Sequence, residues 1–312
     1  MNVKPLAVGS MQVKNNIFLA PMAGYTDYAF RHLALKLGAG LTFTELVSAK
    51  GLILGGSANG ELLYTGEDTK GTVAQIFGSD PYYMRKAVES EHIRPFETVD
   101  INMGCPVPKV FKNGEGSALL TDIKKAETII KECVKGGKNI TVKIRTGLKY
   151  GDNIATDYAI MAEQAGAKLI TIHVRVREAY YSGEPDYNAI AKAKASVNIP
   201  VIANGGIYTK DDVKVMHERT GADGIMLARG GIANPFLFAE LTGTKTDMSL
   251  RDFIIEHVKL MAKSYPDKRA TLEFRKFTPY YFRCMTGLKE LKQKINNAQT
   301  TSEIIELIDQ NL

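Results

Sequence analysis

Short runs of apolar and β-branched residues alternate along this chain with longer segments whose apolar positions recur at helical spacing. The short runs fall at residues 17–20, 41–44, 73–77, 98–102, 141–145, 169–173, 201–204 and 224–228, and each is predicted to be a strand. Helices are predicted between most of them, at 27–37, 80–93, 122–134, 153–165 and 210–219. Several open on Asp or Asn, or beside Pro, the residues that satisfy or lack the free N–H groups of a first helical turn. Strand and helix alternating eight times predict an α/β fold, a parallel (β/α)8 TIM barrel. After Phe238 the alternation stops. From Leu250 the pattern is helical throughout, through Phe253, Ile254, His257, Val258 and Met261, then 272–285, then 304–308. The polar stretch 242–247 lacks periodicity. The expected organisation is a catalytic barrel domain over 1–242 followed by a small all-helical C-terminal domain over 248–312.

Composition fits this frame and narrows it. A chain of 312 residues with 45% hydrophobic content suits one large barrel with an appendage. Its three cysteines, Cys105, Cys133 and Cys284, are too few and odd in number for a disulfide framework, which points to a reducing cytoplasm. Residues 1–12 lack the apolar run of a signal peptide, and no stretch approaches the length of a membrane span. A soluble cytoplasmic protein without membrane contact is expected, acting as a monomer.

The formal net charge is +6, and its placement matters more than its size. Ten Lys and Arg stand against three acidic residues between Lys259 and Lys294, so the excess sits in the helical tail. A charge excess confined to one segment suggests a polyanionic partner; a solvated helical face is the plain alternative. The cations are interleaved with Tyr265, Phe274, Phe277, Tyr280, Tyr281 and Phe282, a mixture that suits nucleic acid. Phe277 and Phe282 equally suit a helical core, whereas Arg275, Lys276 and Arg283 are expected to meet phosphates.

Alternate side chains of a barrel strand face inward and outward. If Val99, Ile101, Val142, Ile144, Ile170 and Ile172 face the helices, then Asn102, Lys143 and His173 point inward. By the same parity Gln75 lies inside, Asn204 sits at a strand tip, and Arg175 follows His173. Such a polar ring at strand C-termini is where barrel enzymes keep their chemistry, and an unpaired ammonium inside a barrel is costly without a purpose. Cys105 lies just beyond a strand end, beside Gly104 and Pro106, a placement suited to chemistry rather than packing. Cys133 is in register with Ile129 and Ile130 on a helix and is expected in the core. The seventh and eighth strands end in Asn204-Gly205-Gly206 and Ala228-Arg229-Gly230-Gly231, at the usual phosphate corner of this fold. With no metal-ligand cluster in the sequence, a phosphorylated organic cofactor is expected, FMN first. Lys143 would stabilise negative charge on the reduced flavin, while Gln75 and the backbone of Pro21, Met22 and Ala23 would meet its ring edge.

Several of these segments are familiar together. Residues 20–27 (APMAGYTD), 74–78 (AQIFG), 102–106 (NMGCP), 142–145 (VKIR) and 172–175 (IHVR), with Tyr181-Ser182-Gly183 downstream, resemble the tRNA-dihydrouridine synthases, particularly the bacterial B type. The resemblance spans essentially the whole chain, including Phe274-Arg275-Lys276 in the tail. It implies an FMN barrel with a helical tRNA-binding domain that uses NADPH to reduce the C5=C6 bond of uridines in tRNA. It implies Cys105 as proton donor and Pro21, Met22, Ala23, Gln75, Lys143, His173, Asn204 and Arg229 as flavin contacts. Gly205, Gly206 and Ala228 complete the expected cofactor set, and Asn102, Arg175 and Tyr181 join Arg275, Lys276 and Arg283 as expected substrate contacts.

Three positions depart from the family pattern. Gly206 stands where an Asp is usual, Val174 where a Gly is usual, and Ala228 where a Gly is usual. The backbone donors survive all three changes. Uracil C6 is the β-position of an unsaturated carbonyl, so hydride from reduced flavin N5 is expected there, and C5 must then be protonated. A cysteine with an ordinary pKa of about 8.5 is mostly protonated at neutral pH and suits that acid role, whereas a nucleophile needs a paired base. Lys109 and Lys112, just past the cysteine, could meet RNA phosphate or simply face water. Two other classes are weighed: a flavin barrel acting on a free pyrimidine, which has no use for the basic tail, and an RNA-binding protein with a decayed flavin site.

Overall fold

A computed structural model describes residues 2–55, 57–283 and 285–312; Cys284 lies outside them. An antiparallel hairpin comes first, β1 (Leu6–Val8) and β2 (Met11–Val13), paired from Leu6 to Val13. The strands that follow are β3 (Ile17–Leu19), β4 (Thr42–Phe43), β5 (Val47–Ser48), β6 (Thr72–Phe77), β7 (Thr98–Met103), β8 (Asn139–Arg145), β9 (Leu169–His173), β10 (Val201–Asn204) and β11 (Gly224–Leu227). Their spatial order is β3-β11-β10-β9-β8-β7-β6-β4, all parallel. Backbone bonds from Leu19 N to Leu41 O (2.9 Å) and from Gly40 N to Ile17 O (2.7 Å) join the first and second barrel strands and close the ring. All eight predicted strands are present; the short β5 adds a third partner for β6, beside β4 and β7.

The predicted parity holds around the ring. Val99, Ile101, Val142, Ile144, Ile170, Ile172, Val201 and Ala203 pack outward against the helices in the larger apolar cluster. Phe18, Phe43, Val73, Leu169, Ile202 and Met226 fill the inside together with Val8, Met11 and Val13 of the hairpin. The hairpin therefore plugs the N-terminal end of the barrel, and the inward polar groups gather at the opposite rim, at the C-terminal ends of the strands.

The helices begin where capping chemistry places them. Asp27 accepts from Phe30 N and opens Tyr28–Lys36; Asp80 opens Pro81–Glu89; Asp122 opens Ile123–Lys135; Thr209 forms a capping box at Lys210–Thr220. Cys133 is fully buried on the third of these. A helix over Tyr187–Ser196 buries only Ala189, Ile190 and Ala193, too thin an apolar stripe for the pattern to announce it.

The tail is helical, with one break the pattern does not foretell. The segment expected as one helix over 272–285 is divided: Asp267–Phe274 is followed by a 3-10 turn, Arg275–Phe277, and a short turn, Thr278–Tyr281, around Pro279, which has no N–H to continue a helix. The helix Leu250–Ser264 lies against Tyr28–Lys36 of the barrel. Phe30 stacks on Phe277 with centroids 5.8 Å apart and meets Phe253 edge-on at 6.3 Å. Barrel and tail thus share one continuous apolar cluster.

Candidate active site

Above the plugged barrel lies a cavity of about 410 Å³, open at the C-terminal ends of the strands. Its walls bring together Pro21, Met22, Ala23, Asn102, Cys105, Lys143, His173, Arg175, Tyr181, Asn204, Gly205, Gly206, Ala228 and Arg229. Gln75 is fully buried just beneath it. The tail contributes Tyr280, which meets Tyr25 edge-on at 5.5 Å, so the helical region forms part of the wall.

Each side chain is held by its neighbours. Lys143 Nζ donates to Asn204 Oδ1 at 2.9 Å, and Asn204 Nδ2 in turn donates to Met226 O at 2.8 Å. Burial, with Arg145 nearby, lowers the Lys143 ammonium to about 7 although Asp100 opposes the shift. His173 Nδ1 accepts from Arg175 N at 3.3 Å. Burial and the cations Arg145, Lys143 and Arg175 push its pKa well below the ordinary value, so the ring is neutral at physiological pH. Arg175 Nε donates to Gly183 O, and the Arg229 guanidinium lies 4.5 Å above the Tyr181 ring.

Cys105 sits in the loop after β7. Its backbone N donates to Asn102 Oδ1 at 3.0 Å, and its carbonyl accepts from Ser117 Oγ at 2.7 Å. Burial raises the thiol pKa, with the Val107 backbone and Arg145 drawing it partly back. The group is therefore a held proton rather than a thiolate at neutral pH.

Two residues with a part in this arrangement were not picked out from the sequence. Arg145 binds three carbonyls at once: Gly104 of the cysteine loop through Nε (2.8 Å), and Val176 and Tyr180 through Nη1 (3.0 and 2.8 Å). It pins the loop after β7 to the loop after β9. Asp100, fully buried, accepts from Gln75 Nε2 at 2.7 Å and from Thr141 Oγ1 at 2.5 Å. Desolvation raises its carboxyl to about 6 despite those bonds. The signal for both was parity: Asp100 shares a face with Asn102, and Arg145 shares one with Lys143.

The tail cations stand apart from the cavity wall. Arg275 Nη2 donates to Ala298 O at 2.8 Å, a bond within the helical region. Lys276 pairs with Glu273 and lies 5.9 Å from the centre of the Tyr25 ring at the cavity rim. Arg283 is exposed and lies 5.1 Å over Tyr208, another wall residue.

The donor set suits a phosphorylated, anionic cofactor. The wall carries Lys143, Arg145, Arg175 and Arg229 and no carboxylate among the described residues. Gly205 and Gly206 have φ of +104° and +74°, and a Cβ on Gly205 would come within 2.8 Å of His173 Nε2, so the backbone here is shaped for close approach. At the three departures, a Cβ on Gly206 would meet Arg175 Nη1 in ordinary contact at 3.5 Å, Val174 is fully buried, and Ala228 lines the cavity.

A profile of the dihydrouridine synthase (Dus) family matches residues 18–312. The chain belongs to this family. Its enzymes are oxidoreductases, and this chain is 34% identical over 301 residues to tRNA-dihydrouridine synthase B of Pasteurella multocida (strain Pm70), covering 93% of this chain and 91% of the relative. It is 32% identical over 315 residues to tRNA-dihydrouridine synthase B of Vibrio cholerae serotype O1, covering 97% and 98% respectively. Among solved structures, morphinone reductase in complex with tetrahydroNAD superposes with a TM-score of 0.55 at 14% identity, over 80% of this chain and 93% of that one. That likeness is one of fold, a parallel barrel with its helices. No helix among the described residues is long and apolar enough to cross a membrane.

Proposed function

We propose that this chain binds FMN in the cavity above the barrel, is reduced by NADPH, and converts uridines of tRNA to 5,6-dihydrouridine in the cytoplasm, as a monomer and without a metal. The observation that carries the reading is the Cys105 thiol, its pKa raised by burial, facing the same cavity as Lys143, His173 and the glycine corner. Arg229, Gly205, Gly206 and Ala228 would hold the phosphate, and Pro21, Met22, Ala23, Gln75, Lys143, His173 and Asn204 the ring system. A flavin held there would supply the hydride that uracil C6 accepts. Cys105 holds its proton at Sγ and delivers it to C5; the thiolate left behind is stabilised by Arg145 and regains a proton from solvent. Lys143, poised to carry a proton near neutral pH, offers positive charge to an electron-rich ring. Asn102, Arg175 and Tyr181 would orient the uridine at the mouth. The division into a barrel domain, 1–242, and a tRNA-binding domain, 248–312, belongs to the same proposal, with Arg275, Lys276 and Arg283 toward RNA phosphates.

The test is Cys105→Ala. The variant should retain flavin and accept electrons from NADPH, yet form no dihydrouridine on unmodified tRNA. Cys133→Ala should leave the chemistry intact. Near-normal turnover by Cys105→Ala over many cycles would refute the acid assignment, and activity on free uridine equal to that on tRNA would favour the free-pyrimidine enzyme.

A further inference from the structure

Beneath the cavity a single line of hydrogen bonds runs from the barrel interior to the cysteine loop. Asp100 Oδ2 accepts from Gln75 Nε2 (2.7 Å), Gln75 Oε1 accepts from Asn102 Nδ2 (3.1 Å), and Asn102 Oδ1 accepts from Cys105 N (3.0 Å) and Gly104 N (3.3 Å). All three side chains are buried, Asp100 and Gln75 completely. Amides have a donor end and an acceptor end and can in principle face either way; a carboxylate can only accept.

We propose that Asp100 is a positioning residue: its carboxylate fixes the direction of the Gln75 and Asn102 amides and, through Asn102, the conformation of the loop that carries Cys105. If Gln75 turned around, two oxygens would face each other at Asp100. With Gln75 committed, only its oxygen is left for Asn102, which must then present Nδ2 to it. That leaves Asn102 Oδ1 for the two loop N–H groups. Reversing the line would set the Asn102 amide nitrogen against them and release the loop. Thr141 fixes the other carboxylate oxygen, so Asp100 cannot rotate to relieve the constraint. Burying an acceptor-only group at 0% exposure is expensive, and apolar side chains would fill the same space without that cost. The polarity it imposes on the network accounts for its presence.

This inference rests on Cys105 acting as the acid, but it can be read without turnover. In the purified flavin-bound protein, alkylation of Cys105 by iodoacetamide at pH 8 is followed by peptide-resolved mass spectrometry. Asp100→Asn keeps the shape but allows either direction of the line. The loop loosens, water reaches the thiol, and alkylation should accelerate severalfold. The double variant Asp100→Asn with Asn102→Asp moves the acceptor-only group to the loop end. Asp at 102 accepts from the loop and from Gln75 Nε2, and Gln75 Oε1 accepts from Asn at 100. Slow alkylation should return. In Asp100→Asn, dihydrouridine formation should also fall in kcat.

An alkylation rate in Asp100→Asn equal to wild type overturns the proposal, as does a double variant no slower than the single one. If only the double variant folds and is slow to alkylate, the proposal stands. If neither folds, it falls, because Asp100 then holds the barrel rather than the loop. Loss of the alkylation effect with Cys105 still required for turnover would indict this inference alone; the reverse would indict the acid assignment alone.

Discussion

Gly205→Ala offers a quantitative check on how the cavity is built. The residue has φ of +104°, well beyond the left-handed helical region that an L-residue tolerates, and a Cβ there would stand 2.8 Å from His173 Nε2 and 3.1 Å from Val174 Cγ2. The backbone strain costs about 1–2 kcal/mol. Forcing His173 aside in a packed wall adds about 1–3 kcal/mol. A loss of about 2–5 kcal/mol in stability follows from these two terms together. Gly206→Ala isolates the first term: φ is +74°, and the nearest atom to its Cβ is Arg175 Nη1 at 3.5 Å, ordinary contact with a flexible side chain. It should cost about 1 kcal/mol. Urea midpoints followed by circular dichroism give the comparison, and visible absorbance gives flavin content, which should fall in Gly205→Ala as His173 swings into the cavity. Equal midpoints for the two variants, with equal flavin content, would mean that His173 is free to move and that the glycine is not shaping the site.

Further outcomes concern proton linkage, FMN affinity and the basic tail. Lys143 has a folded pKa of about 7 against 10.5 for the free side chain, so the unfolded chain binds more protons between those values and flavin-free protein should gain stability as pH rises through that window; in Lys143→Met the gain should be lost, as measured by urea midpoints at pH 7 and pH 9. Asp100 acts oppositely at lower pH, its raised pKa of about 6 making stability fall as pH climbs from 3.8 to 6. Arg229→Ala should weaken FMN by about 2 kcal/mol in equilibrium dialysis, with riboflavin, which lacks the phosphate, much less affected. In the tail, Lys276→Ala with Arg283→Ala should raise tRNA KM and make the slope of log affinity against log salt shallower by about one for each cation removed from a phosphate. Arg275→Ala, which gives up the bond to Ala298 O, should in addition lower the melting temperature.

Most of the barrel was legible because its strands are buried on the outer face by β-branched residues and its helices open on capping residues. The strand parity that placed Lys143, His173 and Asn102 rests on that one repeat. The same rule places Asp100 and Arg145 inside, yet neither stands at a motif's centre. Their roles depend on partners far apart in the chain, Gln75 and Thr141 for one, Val176 and Tyr180 for the other. Periodicity carries no information on such pairings. The hairpin plug was also silent, since two three-residue strands are too short to register a pattern. The thin helix at Tyr187–Ser196 and the break at Pro279 show the opposite limit, where tertiary packing decides what a weak local preference leaves open.

The shared apolar cluster between barrel and tail has a consequence for how a uridine is chosen. Phe30 and Phe253 belong to different halves of the chain but to one packed interior, and Tyr280 from the tail closes the cavity wall. A nucleic acid gripped at Lys276 and Arg283 would be held by helices packed into the same apolar cluster as the barrel that carries Cys105. The span from anchor to thiol is then a fixed gauge. Which nucleotide reaches the cavity becomes a matter of how far it lies along a folded RNA from the gripped phosphates, measured by a core of phenylalanines rather than read from bases.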